Sequence, residues 1–422
     1  MSRPKYFRGW VKGILIGIVA TALFLMVAQD QETLTVQSPV PATDPRFADY
    51  VASLTGAPVE RGDRYTVLRN GDQTFPAMLE AIRSAKRRII FESFIYEDGV
   101  VGDQFTHELA SAAARRVEVR IVLDAYGSVL SDQSTDRLKT AGAHVVWFNT
   151  LRPWTLEEAN YRTHRKVLVV DGRIGFTGGL GLADHWHGDA ERAGGWRDTH
   201  FKVEGPAVRG LEAAFYENWL EAGGRVAPAL DLEQPPQQTG ARTVVIWSNP
   251  TGGAGRVKLL FLLSIAGARR QIDIQSPYFV LDESTRWSLD EARRRGVRVR
   301  VLTEGNQTDA PPVKDASRSE YQSLLERGHE LYEYQPTMMH VKAMVVDRTW
   351  SVIGSANFDN RSLELNDELI VGIQDAELAA QLAQDFEADL EKSIRIDATT
   401  WPDRSLWQKT REQFWGLFGE VF

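Results

Sequence analysis

The stretch HRKVLVVDGRIGFTGG, from His164 to Gly179, has a second copy in the chain, HVKAMVVDRTWSVIGS, from His340 to Ser355. Both copies carry the spacing H-x-K-x4-D, and both reach a pair of small residues seven positions after the aspartate. One such pattern is a weak signal, because it fixes only three positions. Two copies at corresponding points of a longer repeat indicate a duplicated unit that carries the same chemistry twice.

The residues before each copy also repeat, in the same order. The matching pairs are IRSAKRRIIFESFIY from Ile82 with IAGARRQIDIQSPYF from Ile265, RRVEVRIVLD from Arg115 with RGVRVRVLTE from Arg295, and LKTAGAHVVWF from Leu138 with LLERGHELYEY from Leu324. Each pair is typical of a helix end followed by a strand. Strands that alternate with helices predict an α/β fold, with a duplicated α/β sandwich in each half and helices covering a largely buried sheet.

Composition shifts divide the chain into segments. A stretch rich in Pro, Gly and Gln, GGRVAPALDLEQPPQQTGAR from Gly223, separates the halves, and a polar stretch with three prolines, TVQSPVPATDP, precedes the first half. We predict a membrane anchor over 1–28, a linker over 29–62, the first half over 63–224, a linker over 225–243, the second half over 244–396 and an amphipathic tail over 397–422.

The N-terminus has the pattern of a membrane anchor. Four basic residues precede the uncharged apolar run from Gly13 to Ala28. Counted from Trp10, with Lys12 extending toward the headgroups, the helix just spans a bilayer. The alternative is a cleaved signal peptide, although Met26 makes a poor cleavage site after Ala28. The basic flank predicts a cytoplasmic N-terminus and a catalytic domain on the non-cytoplasmic side of a bacterial inner membrane.

The composition excludes several kinds of site. The 422 residues include 43% hydrophobic and 25% charged residues, as in a globular protein. The net charge of −8 disfavours a nucleic-acid partner bound by broad phosphate neutralisation. The absence of cysteine excludes disulfides, a cysteine nucleophile and thiolate metal sites.

The motif contains the groups needed for phosphodiester transfer. On an extended strand, residues two apart share a face, so His164 projects with Lys166, and His340 with Lys342. One neutral histidine can attack phosphorus, the other can exchange a proton with the departing and entering oxygen, and the lysines stabilise the charge that develops. Neither half has all of these parts, which predicts a site between the halves.

The remaining motif positions have supporting roles. Asp171 and Asp347 lie an odd number of residues after the histidines, so on a strand their side chains face the other way. We interpret them as side chains that support the backbone. Gly178 and Gly179 let a strand end pack closely, as Gly354 does in the second copy.

The duplicated motif resembles the HKD signature of the phospholipase D superfamily. Over most of 64–395 the chain resembles the bacterial cardiolipin synthase branch, through NYRTHRKVLVVDGRIGFTGG from Asn160, WRDTHFKVEGPAV from Trp196 and GSANFDNRSLELNDE from Gly354. The resemblance implies a site at a pseudo-twofold interface and a ping-pong reaction without metal or other cofactor. It implies that His164 is the nucleophile and His340 the general acid and base, an order that the near-symmetric copies alone leave open.

The resemblance also implies two carboxylates that orient the imidazoles, Asp198 in WRD and Glu368 in NDE. Ser355 and Asn357 match the family's supporting residues in the second copy. The first copy departs from the pattern, because Gly179 and Gly181 stand at the corresponding positions. Equivalent phosphate cradles in the two halves are therefore in doubt.

The function implied is transfer of a phosphatidyl group between membrane phospholipids. The expected reaction makes cardiolipin from two phosphatidylglycerol molecules, or from phosphatidylglycerol and another phospholipid. Hydrolysis of phospholipid head groups is the nearest alternative, since choosing alcohol over water depends on a dry entrance. Cleavage of nucleic acids is a further alternative, which the acidic charge and the anchor disfavour.

Two other segments admit two interpretations. His185, His187 and Asp189 have spacing that could suit zinc on a strand, but they follow a glycine turn, and we expect them to line the entrance of the site. The tail repeats large apolar side chains on one side of a helix, including Trp407 and Phe414. It either packs on the globular body or lies in the membrane interface.

Overall fold

The computed structural model describes residues 33–150, 160–225, 239–250, 254–419 and 422. The anchor predicted over 1–28 lies outside these residues, and no helix within them is long and apolar enough to cross a membrane. The elements of the N-terminal part are α1 (Phe47–Thr55), β1 (Glu60–Arg69), α2 (Asn70–Ser84), β2 (Arg88–Ser93), α3 (Val100–Ala114), β3 (Glu118–Asp124), α4 (Asp132–Thr140), β4 (His144–Phe148), β5 (Arg162–Thr163), β6 (Val167–Val170), β7 (Ile174–Gly178), β8 (Trp196–Arg197), β9 (Thr199–Glu204) and α5 (Val208–Glu221).

The C-terminal part repeats this order of elements from β1 onward and adds a short strand and a helix at its end. Its elements are β10 (Ala241–Trp247), α6 (Ala254–Gly267), β11 (Gln271–Gln275), α7 (Glu283–Arg294), β12 (Arg298–Glu304), α8 (Pro311–Glu326), β13 (Glu330–Tyr334), β14 (Met338–Met339), β15 (Ala343–Val346), β16 (Trp350–Gly354), β17 (Asn366–Asp367), β18 (Leu369–Gln374), α9 (Ala376–Leu390), β19 (Ser393–Arg395) and α10 (Leu406–Gly416).

Fifteen of the described strands form one large mixed sheet that runs through both halves. Its order is β19-β13-β12-β11-β15-β16-β18-β10-β1-β9-β7-β6-β2-β3-β4. Outward from the central pair, β1-β9-β7-β6-β2-β3-β4 corresponds strand for strand to β10-β18-β16-β15-β11-β12-β13. The predicted α/β class is confirmed. The halves are nevertheless not separate sandwiches, because β1 pairs antiparallel with β10 and joins them.

Helices cover both faces of this sheet, so most of its strands are buried on both sides. Helices α5 and α9 lie over one face and share a core with strands of both halves, including Phe215 and Phe386. The opposite face has one core in each half, under α2 to α4 in the first half and under α6 to α8 in the second. This burial explains the long apolar runs of the central strands.

Part of the predicted linker over 29–62 is folded, which corrects that prediction. Helix α1 buries Phe47, Ala48 and Val51 in the core of the second half, and the Phe47 ring meets Trp350 edge-on with centroids 5.0 Å apart. The backbone before it is fixed as well, since the Ala42 N–H donates to the Gly267 carbonyl at 2.9 Å. The prolines suggested a linker, but the helical spacing of the apolar residues places this segment against the core.

Two short parallel ladders cross between the halves and position the motif histidines. In one ladder, β5 pairs with β17, and the His164 N–H donates to the Asp367 carbonyl at 2.9 Å. In the other, β14 pairs with β8, and the His340 N–H donates to the Arg197 carbonyl at 2.7 Å. Each histidine is therefore held by backbone of the opposite half.

The motif histidines and lysines lie just outside strands, which corrects the strand prediction in detail. Strand β6 begins at Val167 and β15 at Ala343, immediately after the two lysines. The Lys166 Nζ still lies 2.8 Å from the carbonyl oxygen of His164, two residues earlier. The side chains of each pair thus point to the same region, as the two-residue spacing predicted.

The C-terminal tail packs on α8 through one side of α10. Glu412 is buried and accepts from Arg404 at 2.9 Å, while Arg411 pairs with Asp315 at 2.7 Å. The other side leaves a large apolar surface exposed, made of Leu406, Trp407, Phe414 and Leu417. Packing on the body therefore accounts for only part of the apolar pattern of the tail.

Candidate active site

Each motif histidine is paired with a carboxylate from the opposite half. His164 Nδ1 lies 2.9 Å from Glu368 Oε1, and His340 Nδ1 lies 2.7 Å from Asp198 Oδ2. Both carboxylates are fully buried. A carboxylate at Nδ1 keeps the proton on that nitrogen and leaves Nε2 to react.

The two lysines lie beside the histidines. Lys342 Nζ is 3.0 Å from His340 Nε2 and donates to the His340 carbonyl, while Lys166 donates to the carbonyl of His164. His164, His340 and Lys166 line one cavity of about 410 Å³. The remaining lining residues are Phe94, Ile95, Tyr126, Arg162, Trp186, Trp196, Tyr278, Asp309, Val313, Asn357, Asp359, Arg361, Ser362, Asn366 and Phe422.

Burial controls the charge of these four groups in the free protein. It lowers the pKa of His164 to about 4, against the opposing pull of Glu368. It also lowers the pKa of His340 well below its usual value, and the charges of Lys342 and Lys166 act in the same direction. The pKa falls to about 7 for Lys166 and to about 8 for Lys342, again mainly because water is removed. Both histidines are therefore neutral before substrate arrives, and the lysines titrate near neutral pH.

The two carboxylates, Glu368 and Asp198, differ in their pKa values and in their hydrogen bonds. Burial tends to raise the pKa of Glu368, but the charge and hydrogen bond of His164 outweigh it and bring the value to about 2. Ser355 Oγ donates to Glu368 Oε2, and Asn366 Nδ2 donates to Oε1 at 3.3 Å. In the other half, burial raises the pKa of Asp198 to about 6, although Lys342 opposes the shift.

The first half supports its carboxylate without the serine found in the second. Asp198 accepts from Trp186 Nε1 at 3.0 Å and from the Thr199 N–H at 2.8 Å. A Cβ at Gly179 would lie only 2.2 Å from Asp198 Oδ1, so no serine fits there. Glycine at this position, where the family pattern has serine, therefore leaves room for the Asp198 carboxylate.

Gly178 and Gly354, which directly precede Gly179 and Ser355, have backbone conformations that require glycine. Gly178 has φ of 150° and Gly354 has φ of 148°, a region that other residues rarely adopt. A Cβ at Gly354 would also lie 2.2 Å from the Leu369 carbonyl oxygen. These residues let strands β7 and β16 end closely against their neighbours.

The motif aspartates contact backbone at the far end of the motif strands. Asp171 accepts from the backbone N–H groups of three consecutive residues, Lys86, Arg87 and Arg88, at 2.8–3.0 Å. Asp347 accepts in the same way from Arg269, Arg270 and Gln271, at 2.7–2.8 Å. Each side chain fixes the turn that precedes β2 or β11, in keeping with a bracing role.

Asn357 offers the cavity an unsatisfied polar atom. Its backbone N–H donates to Ser362 Oγ at 3.1 Å, which orients the residue toward the cavity. Its Oδ1 is buried and has no hydrogen-bond partner among the described residues. A substrate hydroxyl could supply that partner.

The segment with His185, His187 and Asp189 contributes a tryptophan to the cavity. The His185 ring lies between those of Trp186 and Trp196, tilted by 41° to each, with ring centroids 4.1 and 4.2 Å away. No group of three or more metal-ligating side chains occurs within the part of the chain that the structure describes. None of His185, His187 and Asp189 is among the residues that line the 410 Å³ cavity; the residue of this segment that lines it is the buried Trp186.

Several cavity residues were not predicted from the sequence. Trp186 and Trp196 contact the His340 ring, with centroids 5.5 and 5.0 Å from it. Tyr278 OH donates to Asp309 at 2.7 Å on another wall. Phe422 reaches the cavity from the tail. Their sequence contexts carried no separate signal, because isolated aromatic residues are equally common in cores.

Comparison with known proteins places the chain in a family. The family model "Cardiolipin synthase, PLD-like domain" matches residues 78–186 and 262–390. Cardiolipin synthase 1 of Bacillus anthracis is 33% identical over 92% of this chain and 78% of its own length, and the cardiolipin synthase of Geobacillus thermodenitrificans is 34% identical over 82% and 70%. The crystal structure of phosphatidylserine synthase from Haemophilus influenzae has the same fold, with a TM-score of 0.69 at 13% identity over 89% of this chain and 97% of its own. The resemblance seen in the motifs is thereby confirmed, and the chain belongs to the cardiolipin synthase family of phospholipase D-like proteins.

Proposed function

We propose that the enzyme transfers a phosphatidyl group from one phosphatidylglycerol to the terminal hydroxyl of another, which yields cardiolipin and glycerol. The observation that carries this proposal is the pair of histidines in one cavity, each oriented by a buried carboxylate of the other half. The similarity to cardiolipin synthases over most of the chain selects the substrate.

In the first step, His164 Nε2 attacks the phosphorus of the donor lipid. Glu368 at Nδ1 stabilises the positive charge that develops on the ring. The phosphodiester adds a negative charge beside Lys166 and Lys342, which raises the pKa of the neighbouring groups and lets His340 carry a proton. His340 gives this proton to the departing glycerol oxygen as the P–O bond breaks.

In the second step, His340 takes the proton of the acceptor hydroxyl. The new P–O bond forms while the bond between phosphorus and His164 breaks, which returns the site to its starting state. The charge on the non-bridging oxygens is stabilised throughout by the two lysines. No metal or other cofactor is needed for either step.

The cavity favours an alcohol over water as the acceptor. Phe94, Trp186 and Trp196 supply apolar walls close to the histidines, and Phe422 adds another from the tail. Such walls reduce the local concentration of water and accommodate lipid glycerol backbones. This arrangement supports transfer over the hydrolytic alternative.

The enzyme is proposed to work at a bacterial inner membrane, held by residues 1–28. Helix α10 supports this location, because it exposes Trp407 and Phe414 on the same segment that places Phe422 in the cavity. An apolar helix face with tryptophan fits the bilayer interface. We propose that this face docks on the membrane beside the cavity mouth.

The test uses full-length protein in detergent–phosphatidylglycerol micelles, with lipid products separated by mass. Cardiolipin and glycerol in equal amounts are expected, whereas phosphatidic acid alone would overturn the proposal in favour of hydrolysis. His164→Ala should remove all product, while His144→Ala, at an exposed histidine, should not. His340→Ala should also make no cardiolipin, because glycerol then departs without a proton. With phosphatidyl-p-nitrophenol, whose leaving group needs no proton, this variant should instead trap a phosphatidyl group on His164, detectable by mass in a digest at alkaline pH.

A further inference from the structure

Two arginines from opposite halves line the cavity beside the histidines. Arg162 lies two residues before His164, and its guanidinium stacks on the Tyr126 ring, 4.5 Å from the centroid. Arg361 donates from both terminal nitrogens to the side-chain oxygen of Asn160, at 3.0 and 2.8 Å. Both arginines are half-buried, and neither takes part in the steps described above.

The duplicated positions on the other side of the pseudo-twofold axis carry no cation. Met338 stands two residues before His340, as Arg162 stands before His164. His185 follows Gly178 by seven residues, as Arg361 follows Gly354, and burial lowers the pKa of His185 to about 4, so it is neutral. The reacting groups are thus duplicated, whereas the arginine pair occurs on one side only.

The two arginines are close enough to affect one another. Burial lowers the pKa of Arg361, and the charge of Arg162 acts in the same direction, while Asp359 opposes both. Asp359 and Asp124 partly offset the repulsion between the two guanidinium groups, both of which line the same cavity. An anion bound between them would relieve this repulsion.

The reacting phosphate already has its own cations in Lys166 and Lys342. A second anion enters the site only when the acceptor is itself a phospholipid, whose phosphodiester lies one glycerol unit from the reacting hydroxyl. Water and free glycerol bring no such group. A guanidinium is well suited to it, because its planar donors match the oxygens of a phosphodiester.

We propose that Arg162 and Arg361 form a subsite for the phosphodiester of the acceptor phospholipid. The proposal rests on the proposed function and names the residues that select a lipid acceptor. Binding there places the acceptor hydroxyl near the phosphohistidine and disfavours acceptors without a phosphate. The subsite also explains why one half of a duplicated site keeps arginine where the other has methionine.

The experiment compares two acceptors in the same micelles. Phosphatidylglycerol is supplied with isotope-labelled glycerol, so that labelled phosphatidylglycerol reports transfer to a neutral acceptor and cardiolipin reports transfer to a phosphate-bearing one. Arg162→Met, which installs the residue of the other half, and Arg361→Gln should each lower cardiolipin formation roughly 10- to 100-fold. Glycerol exchange should change by less than about threefold, since it loses no charge-assisted hydrogen bond.

The controls separate this idea from loss of fold and from failure of the proposed function. Arg64→Gln, at an exposed arginine of β1, should leave both rates unchanged. Equal loss of exchange and cardiolipin formation in Arg162→Met would overturn the subsite. A wild-type enzyme that exchanges glycerol but makes no cardiolipin would instead refute the proposed function. Thermal unfolding of each variant shows whether the fold is kept, and Arg162→Met decides the question if Arg361→Gln does not fold.

Discussion

Replacing Lys166 by methionine should make the protein more stable while it abolishes turnover. Lys166 is 3% exposed, and burial lowers the pKa of its amino group from 10.5 to about 7 although Glu368 lies nearby. The folded protein therefore holds an ammonium group in a place that disfavours its charge. A methionine has a similar shape and no charge to bury.

The size of the effect follows from the two pKa values. The difference between 10.5 and about 7 corresponds to about 5 kcal/mol at ~1.36 kcal/mol for each pH unit. At pH 7 about half of the folded molecules keep the proton on Lys166, so its burial lowers the free energy of unfolding by about 4 kcal/mol. The lost hydrogen bond to the His164 carbonyl opposes this by about 1 kcal/mol. A net gain of about 3 kcal/mol at pH 7 is expected from the substitution.

The gain should depend on pH with a definite sign. Between about pH 7 and pH 10.5 the unfolded chain binds more protons than the folded one at this position, so wild-type stability at Lys166 rises with pH. The advantage of methionine should therefore fall below about 1 kcal/mol by about pH 10. Urea unfolding of the full chain, followed by tryptophan fluorescence at pH 7 and pH 10, measures both values.

The control is Lys139→Met, at an exposed lysine of α4, which should change stability little at either pH. A Lys166→Met protein less stable than wild type at pH 7 would refute the reasoning. So would an equal gain at pH 7 and pH 10, because the charge would then not be its source. Either result would mean that Glu368 and the substrate cavity hold the ammonium group without cost.

Further predictions concern the supports of the site and its pH response. Asp171→Ala and Asp347→Ala should each lower the free energy of unfolding by about 3 kcal/mol, measured by urea titration, because three backbone N–H groups lose a charged acceptor. Trp186→Phe should lower kcat about tenfold with little change in KM, since Asp198 loses a donor while the apolar wall remains. In steady-state assays, kcat/KM should fall as pH rises above about 7 to 8, because the lysine ammonium groups of the free enzyme lose their protons.

Much of the fold could be predicted because the chain repeats itself. Two copies of each strand and helix pattern fixed the α/β class, and the HxK spacing placed each histidine beside its lysine. The joining of the halves into one sheet could not be predicted, because it depends on the pairing of β1 with β10. Neither strand has a sequence pattern that identifies its partner. Helix α1 was missed because the prolines before Phe47 outweighed four apolar residues at helical spacing.

The candidate site was predictable wherever a residue belongs to the repeated motif. The partners Glu368 and Asp198 were found only through the family resemblance, because each lies far in sequence from the histidine that it contacts. Trp186 gave no signal, since its hydrogen bond to Asp198 joins residues from separate elements of the folded chain. Long-range contacts of this kind follow from the fold and not from local patterns.

The two halves use the same scaffold but are no longer interchangeable. Glu368 is held by a serine and carries the lower pKa, while Asp198 is held by a tryptophan and shares its site with Lys342. A strongly ionised carboxylate is the better partner for a histidine that must become positive when it attacks phosphorus. A carboxylate nearer to protonation suits a histidine that must release and recover a proton in turn. This difference supports the proposal that His164 attacks phosphorus and His340 exchanges the proton, an order that the near-symmetric motif alone leaves open.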